Sequence, residues 1–309
     1  MEFPPHKLIV IAGPTASGKS DLAIELAHRL NGEIISADSR QVYRGMDIGT
    51  GKVLRDLESA SENEYISGGI RHHLIDIADP NEAYNISDFL RDANRVITDI
   101  RARGKQPLIC GGTHFWIQAL LEGTNFPAVP PDPVLRDRLS TKTADELYTL
   151  LEVQDPTRAA TIDRKNPIRL IRALEIVAAL GTVPSITRHE PLTAENHSMI
   201  LVLNPPKDVL RERIRTRLLN RFASGMIEEV ERLHGQGIDW ERLESFGLEY
   251  RFIAQLLRGS IDQETMRIEL EHAIWHYARR QLSWLRRWER QGTTLTWISD
   301  PKETMSIPF

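Results

Sequence analysis

The stretch LIVIAGPTASGKS, Leu8 to Ser20, constrains this chain more than any other. Gly13, Gly18, Lys19 and Ser20 stand at the GxxxxGK[ST] spacing. In that pattern glycine lets successive backbone N–H groups point inward at phosphate oxygens, the lysine reaches a terminal phosphate, and the hydroxyl can ligate Mg²⁺. Leu8 to Ala12 reads as a buried parallel strand, and Leu22, Leu26 and Leu30 recur at helical spacing after the loop. The glycines therefore join a strand end to a helix N-terminus, where amides and dipole together favour an anion. Gly13, Pro14, Thr15, Ala16, Ser17, Gly18, Lys19 and Ser20 are accordingly the expected phosphate-binding residues, with Ser20 the expected metal ligand. The pattern does not name the reaction, because kinases, ATPases and some transferases share it.

Further apolar runs follow at intervals suited to strands: EIISAD (Glu33 to Asp38), HHLIDI (His72 to Ile77), QPLICGG (Gln106 to Gly112) and MILVLN (Met199 to Asn204). Between the second and third lies a helical stretch, with Ser87 as its cap, Phe89, Ala93, Val96 and Ile100 at helical spacing, and Gly104 as its stop. Strands alternating with helices imply a parallel sheet covered on both faces, with ligands at the carboxyl ends of the strands. Pro127, Pro130, Pro131 and Pro133 break the rhythm and introduce a helical segment. There Thr143 with Glu146 makes a capping box, and Asn166, Pro167 and Gly181 are the cap, first-turn proline and stop of another helix. Ser260 with Gln263 starts a long helix through Trp284 and Trp288, before TTLTWIS returns to strand character. The expected fold is α/β: a P-loop-type parallel sheet flanked by helices, from residues 1–123 and 192–309, with a helical insertion over 124–191 and a helical C-terminal part.

With 41% hydrophobic residues over 309 positions the chain can bury a sizeable core. No basic-then-apolar start reads as a signal peptide and no run of 18 apolar residues occurs, so a cytoplasmic protein with no membrane partner is expected. The single cysteine, Cys110, excludes an internal disulfide, and no Cys/His cluster has zinc spacing. Net charge is only −4, which by itself argues against a nucleic-acid partner. Its distribution is uneven, however. Residues 207–221 hold six Lys or Arg against two acids, and residues 279–290 hold five Arg against one Glu. Either these segments form a localised polyanion site, or they are solvated helix faces paired to acids elsewhere.

The second strand ends at Asp38, which places a carboxylate at the sheet's ligand-binding edge beside the phosphate loop, where it can act as a base or simply cap a turn. Here the motifs become specific. GPTASGKS, SADSRQVYRGMDIGTGK, HHLIDI, GGTHFWIQALLEG, NPIRLIRALEI, RIRTRL and YARRQLSWLRRW, in this order from Gly13 to Trp288, together resemble the tRNA dimethylallyltransferase, or tRNA isopentenyltransferase, family. The resemblance implies that the phosphate carrier is dimethylallyl diphosphate. The acceptor would be N6 of the adenosine immediately 3′ of the anticodon, in tRNAs that read codons beginning with U, and diphosphate would be released. Residues 13–20 with Mg²⁺ would stabilise the departing diphosphate, and Asp38 would take the N6 proton.

The same resemblance assigns Thr113 of GGT to the diphosphate or acceptor in a channel, and Arg217 of RIRTR to the pyrophosphate. It makes Asp38, Ser39, Arg40 and Gln41 the acceptor-reading turn, with Gln41 on the flipped adenine or its neighbour. Gln41 as an exposed turn amide is the other reading. Arg136, Ile168, Arg169 and Arg172 would meet the anticodon arm, although arginines at this spacing also pair with Glu175 on an ordinary helix. Arg279, Arg280, Gln281, Trp284 and Arg286 fall in the C-terminal segment that matches an anticodon-arm contact, while Trp284 and Trp288, four apart, also read as core. The chain departs from the family pattern at GGTHFW, where GGTGLY is usual, and at FGLEYR (Phe246 to Arg251), where an IGYKE-like segment is usual. A monomer is expected. Three other readings share features: an adenylate isopentenyltransferase, which should need no helical insertion; a nucleotide kinase using Asp76 to orient Mg²⁺; and a non-catalytic RNA-binding protein.

Overall fold

The computed structural model describes residues 7–56, 64–185, 187–188 and 198–307. Two compact units divide the chain: Met1–Glu122 with Glu190–Phe309, and Gly123–His189. The strands in chain order are β1 (Leu8–Ala12), β2 (Gly32–Ser36), β3 (Tyr65–Ser67), β4 (Ile70–His73), β5 (Gln106–Cys110), β6 (Thr124–Asn125), β7 (Thr187–Arg188), β8 (Ser198–Leu203) and β9 (Thr296–Ile298). The first unit carries a sheet in the order β3-β4-β2-β5-β1-β8-β9, parallel throughout except for the antiparallel β3–β4 edge. β1 lies between β5 and β8, with Val10 opposite both Ile109 and Ile200.

Every residue of β1 is buried because both faces of the sheet are covered. Ile9 and Ile11 pack with Leu22 and Leu26 of helix Lys19–Arg29, whereas Val10 and Ala12 share a cluster with Phe89, Ala93 and Ile100 of helix Ile86–Ala102. The period of two along the strand thus distributes one apolar run between two helical layers. Phe89 also stacks on Trp116 at 4.7 Å, which seats helix His114–Leu121.

Three local expectations need correction. The strand expected over 72–77 ends at His73, because Leu74 (φ 61°) and Asp76 (φ 56°) turn the chain into the left-handed region. It begins earlier, in a hairpin whose two-residue turn is Gly68–Gly69, both at positive φ. Helix Ile86–Ala102 is capped by Asn85, not Ser87, with Asp88 completing the box, and helix Gln263–Arg290 is capped by Asp262, not Ser260. In each case the acceptor sits on the last extended residue, and the serine lies two positions away from it.

The second unit has its own core, in which Leu139, Leu147, Leu151, Leu170 and Leu174 come from helices Pro133–Ser140, Ala144–Gln154 and Pro167–Leu180. The Thr143/Glu146 box and the Asn166, Pro167 and Gly181 boundaries occur as read. β6 and β7 pair antiparallel within this unit. Among the described residues no helix is long and apolar enough to cross a membrane.

Candidate active site

The phosphate loop leaves β1 at Gly13 (φ 145°), a position where any Cβ would collide with the Leu203 carbonyl. Lys19 Nζ donates to the Pro14 carbonyl at 2.7 Å and so spans the loop. Three side chains distant in sequence support it from outside. Arg213 Nη1 donates to the Ser17 carbonyl at 2.9 Å, Arg217 Nη2 to Thr15 Oγ1 at 2.5 Å, and Gln281 Oε1 accepts the Thr15 N–H at 2.7 Å. Gln281 Nε2 donates onward to the Gly112 carbonyl at 2.9 Å, which ties the loop to the end of β5. Burial, then the neighbouring arginine Arg217, lowers Lys19 to about 8, against the opposing pull of Cys110 and Asp38. Burial and the nearby Arg221 push Arg217 down to about 9. Both remain cations at neutral pH.

His114, the first departure in GGTHFW, lies directly beneath the loop. Its Nε2 accepts the Gly13 N–H at 3.4 Å, and burial, followed by the charge of Lys19, lowers its pKa to about 3. The imidazole is therefore neutral at neutral pH, which leaves Nε2 free to accept the Gly13 N–H. Trp116, the last residue of the departing segment, packs into the core at 5% exposure.

The turn Asp38–Gln41 borders the same cavity as the phosphate loop. Asp38 Oδ1 accepts the Arg40 N–H at 2.9 Å, so the carboxylate caps its own turn and also lines the cavity that holds Thr15, Lys19, Ser20, Gln41 and Arg217. Thr113 Oγ1 accepts the Ser39 N–H at 3.0 Å, and the Thr113 N–H donates to the Ala37 carbonyl at 3.1 Å. Thr113 is therefore the support of the turn as the structure stands. The contact is close: a Cβ at Gly111 would overlap the Ala37 carbonyl. Gln41 is not an exposed amide. Its Oε1 accepts from Ser36 Oγ at 3.1 Å and its Nε2 donates to the Gly51 carbonyl at 3.2 Å. Arg40 Nη2 reaches the Ser245 carbonyl at 3.2 Å while its guanidinium lies over Phe246.

The basic run at 207–221 is not a uniform solvated face, since Arg217 is half-buried and Arg221 buried. Arg213, Arg217 and Arg221 lie four apart on helix Lys207–Ala223; the first two brace the phosphate loop and the third donates to the Gly49 carbonyl and to Glu249. Arg217 lines the cavity and the other two hold backbone carbonyls of the loops beside it, a role that nothing in the local sequence marks. Arg136 and Arg172 are likewise committed within the second unit. Arg136 meets buried Glu175 with two bonds of 2.7 and 3.0 Å, and Arg172 meets it at 3.2 Å and the Val129 carbonyl at 2.7 Å. Arg169 and Ile168 remain exposed. On helix Gln263–Arg290, Arg279, Arg280 and Arg286 are exposed, Gln281 is buried against the loop, and Trp288 is core at 1% exposure. Trp284 is half-buried, donating to Gln118 Oε1 at 3.1 Å beneath the Arg287 guanidinium. Asp76, the carboxylate a kinase reading requires, is paired with Lys52.

No group of three or more His, Cys, Asp or Glu among the described residues could hold a metal by itself. Ser20 and Asp38 nevertheless share the cavity with Lys19, a donor set that suits an ion bound through a hydroxyl, water and substrate phosphate oxygens.

Comparison with known proteins bears directly on this site. The profile of the family described as IPP transferase matches residues 41–288, most of the chain. The chain belongs to the IPP transferase family. Among its relatives, tRNA dimethylallyltransferase 1 of Geotalea uraniireducens is 44% identical over 305 residues, covering 97% of this chain and 96% of the relative. A tRNA dimethylallyltransferase 2 of Porphyromonas gingivalis is 45% identical over 294 residues, with 94% and 93% covered. Among solved structures, the full-length tRNA isopentenylpyrophosphate transferase of Bacillus halodurans superposes with a TM-score of 0.65 at 34% identity, over 95% of this chain and 89% of that one. A eukaryotic dimethylallyltransferase captured acting on tRNA superposes with a TM-score of 0.76 at 26% identity, over 97% of this chain and 76% of that one. The IPP transferase match itself starts after the phosphate loop and Asp38, but the full-length relatives span both.

Proposed function

We propose that this prenyltransferase moves the dimethylallyl group from dimethylallyl diphosphate to N6 of the adenosine immediately 3′ of the anticodon, in tRNAs that read codons beginning with U, and releases diphosphate. The observation that carries the reading is one cavity that brings Lys19 and Arg217 together with Asp38. Ionising an allylic C–O bond leaves negative charge on the departing diphosphate, and Lys19, Arg217 and the loop amides are placed to receive it. An exocyclic aromatic amine is a weak nucleophile, so Asp38 hydrogen-bonds N6 and takes its proton as the new C–N bond forms. Ser20 would hold Mg²⁺, which when bound supplies further charge neutralisation at the diphosphate. Ser39, Arg40 and Gln41 orient the base, Thr113 holds their turn, and Arg169, Ile168, Arg279, Arg280 and Arg286 meet the anticodon arm. We take the working unit to be a cytoplasmic monomer.

The test is direct. Purified protein is incubated with an unmodified anticodon stem-loop and either labelled dimethylallyl diphosphate or γ-labelled ATP. Label from the prenyl donor entering RNA supports the proposal; phosphate from ATP appearing in a nucleotide product instead would overturn it in favour of a kinase.

A further inference from the structure

The loop Asp47–Gly51 contributes Thr50 and Gly51 to the cavity wall although it lies outside any helix or strand. One carboxylate holds it. Glu229, on helix Met226–Gly235 and 5% exposed, accepts the N–H groups of Asp47, Ile48 and Gly49 at 2.8, 2.7 and 3.0 Å and the Tyr250 hydroxyl at 2.7 Å. From the other side Arg221 donates to the Gly49 carbonyl at 3.1 Å while paired with Glu249 at 2.8 Å. Gly49 lies so close to the Tyr250 ring that a Cβ there would stand 2.7 Å from it. The loop in turn carries Gln41, whose Nε2 donates to the Gly51 carbonyl. Glu249 and Tyr250 belong to FGLEYR, the segment at which the sequence departs from the IGYKE-like pattern, so the departure supplies the partner of each bracing side chain, Tyr250 for Glu229 and Glu249 for Arg221.

We propose that Glu229 is a positioning residue for prenyl transfer: with Tyr250 it fixes the Asp47–Gly51 loop and, through the Gly51 carbonyl, the Gln41 carboxamide that faces the cavity. The inference rests on the transferase reading above. A carboxylate that gathers consecutive amides sets the path of a loop that its own residues leave undetermined, and small displacements at a reacting centre cost rate steeply. Removing the acceptor leaves these donors unpaired in a buried place, so the loop must move to recover partners.

Three variants of the full chain, Glu229→Gln, Glu229→Asp and Tyr250→Phe, test it through single-turnover transfer at saturating substrates, titrations with RNA and inorganic pyrophosphate, and amide hydrogen exchange. Glu229→Gln should speed exchange at Asp47 to Gly49 and slow transfer about tenfold or more, with both affinities within about twofold of wild type. Tyr250→Phe, which loses one donor and keeps the ring, should fall between, and Glu229→Asp should recover part of the rate. Unchanged transfer despite faster loop exchange overturns the proposal, as does a rate loss matched by equal loss of pyrophosphate affinity. Should wild type carry prenyl label to no RNA, the transferase reading fails as well, a result the variant series alone cannot produce.

Discussion

Lys19 combines two properties that pull in opposite directions, a buried ammonium and a task that needs charge. Because its pKa is lowered to about 8, Lys19 is protonated below that value and progressively neutral above it. Anion binding draws on the protonated form, so inorganic pyrophosphate affinity should fall above about pH 8, and more steeply in wild type than in Lys19→Ala, where Arg217, lowered to about 9, still titrates. Calorimetric titration across pH 6.5–9.5 checks this, with Lys19→Ala weak at every pH; a flat profile in wild type would remove Lys19 from the anion. Asp38 is the other decisive residue. Asp38→Asn keeps an oxygen that can cap the Arg40 N–H but cannot take the N6 proton, so transfer should slow about a hundredfold with both substrates still bound. Near wild-type single-turnover rates in the folded variant would remove Asp38 as the base.

Helix Lys207–Ala223 shows how much of the site an element hides. Its arginines at 213, 217 and 221 stand four apart and hold the phosphate loop and the Gly49 carbonyl, whereas among the described residues no such bond ties Arg215, which is exposed. Arg213→Ala should therefore raise KM for the diphosphate several-fold by loosening the Ser17 carbonyl's support, while Arg215→Ala leaves it unchanged; steady-state kinetics on the pair decide. The phosphate loop, the capping box at Thr143 and the Asn166–Gly181 helix were legible because each is written within a few consecutive residues. Asp38 was legible because a strand end has a known place in this kind of sheet. What escaped was written across the chain. Glu229 meets amides some 180 positions away, Gln281 meets Thr15 from the far end of the sequence, and His114 is recognisable only once Gly13 lies above it. Charge alone could not divide the arginines between pocket, ion pair and solvent, since that division depends on which acids and carbonyls the fold delivers.

At the scale of the whole molecule, a net charge of −4 has to coexist with the proposed grip on tRNA, and the arginines of the second unit, on two helices, divide between a buried ion pair and solvent. Glu175, its side chain fully shielded, is held by Arg136, Arg172 and the Asp132 N–H; burial alone would raise its pKa, but these bonds keep it below the usual carboxylate range. Such a group contributes stability above the ordinary carboxylate pKa, and the contribution is lost as pH falls through the lowered value. Arg136→Ala should thus cost about 1–3 kcal/mol, and the deficit relative to wild type should shrink as pH falls through the lowered Glu175 value and the carboxylate protonates. RNA affinity per folded molecule should hardly change. Arg169, exposed at the start of the same helix beside Ile168, should behave in the opposite way. A guanidinium that meets a phosphate releases counterions on binding, so Arg169→Ala should weaken the anticodon stem-loop uniformly and reduce the slope of log K against log salt by about one, with an unaltered melt. Fluorescence titrations between 50 and 300 mM salt, run beside thermal melts of both variants, separate the two roles. An unchanged slope in Arg169→Ala would place the RNA elsewhere on the surface, and a lowered slope in Arg136→Ala would mean that the Glu175 pair opens to the nucleic acid.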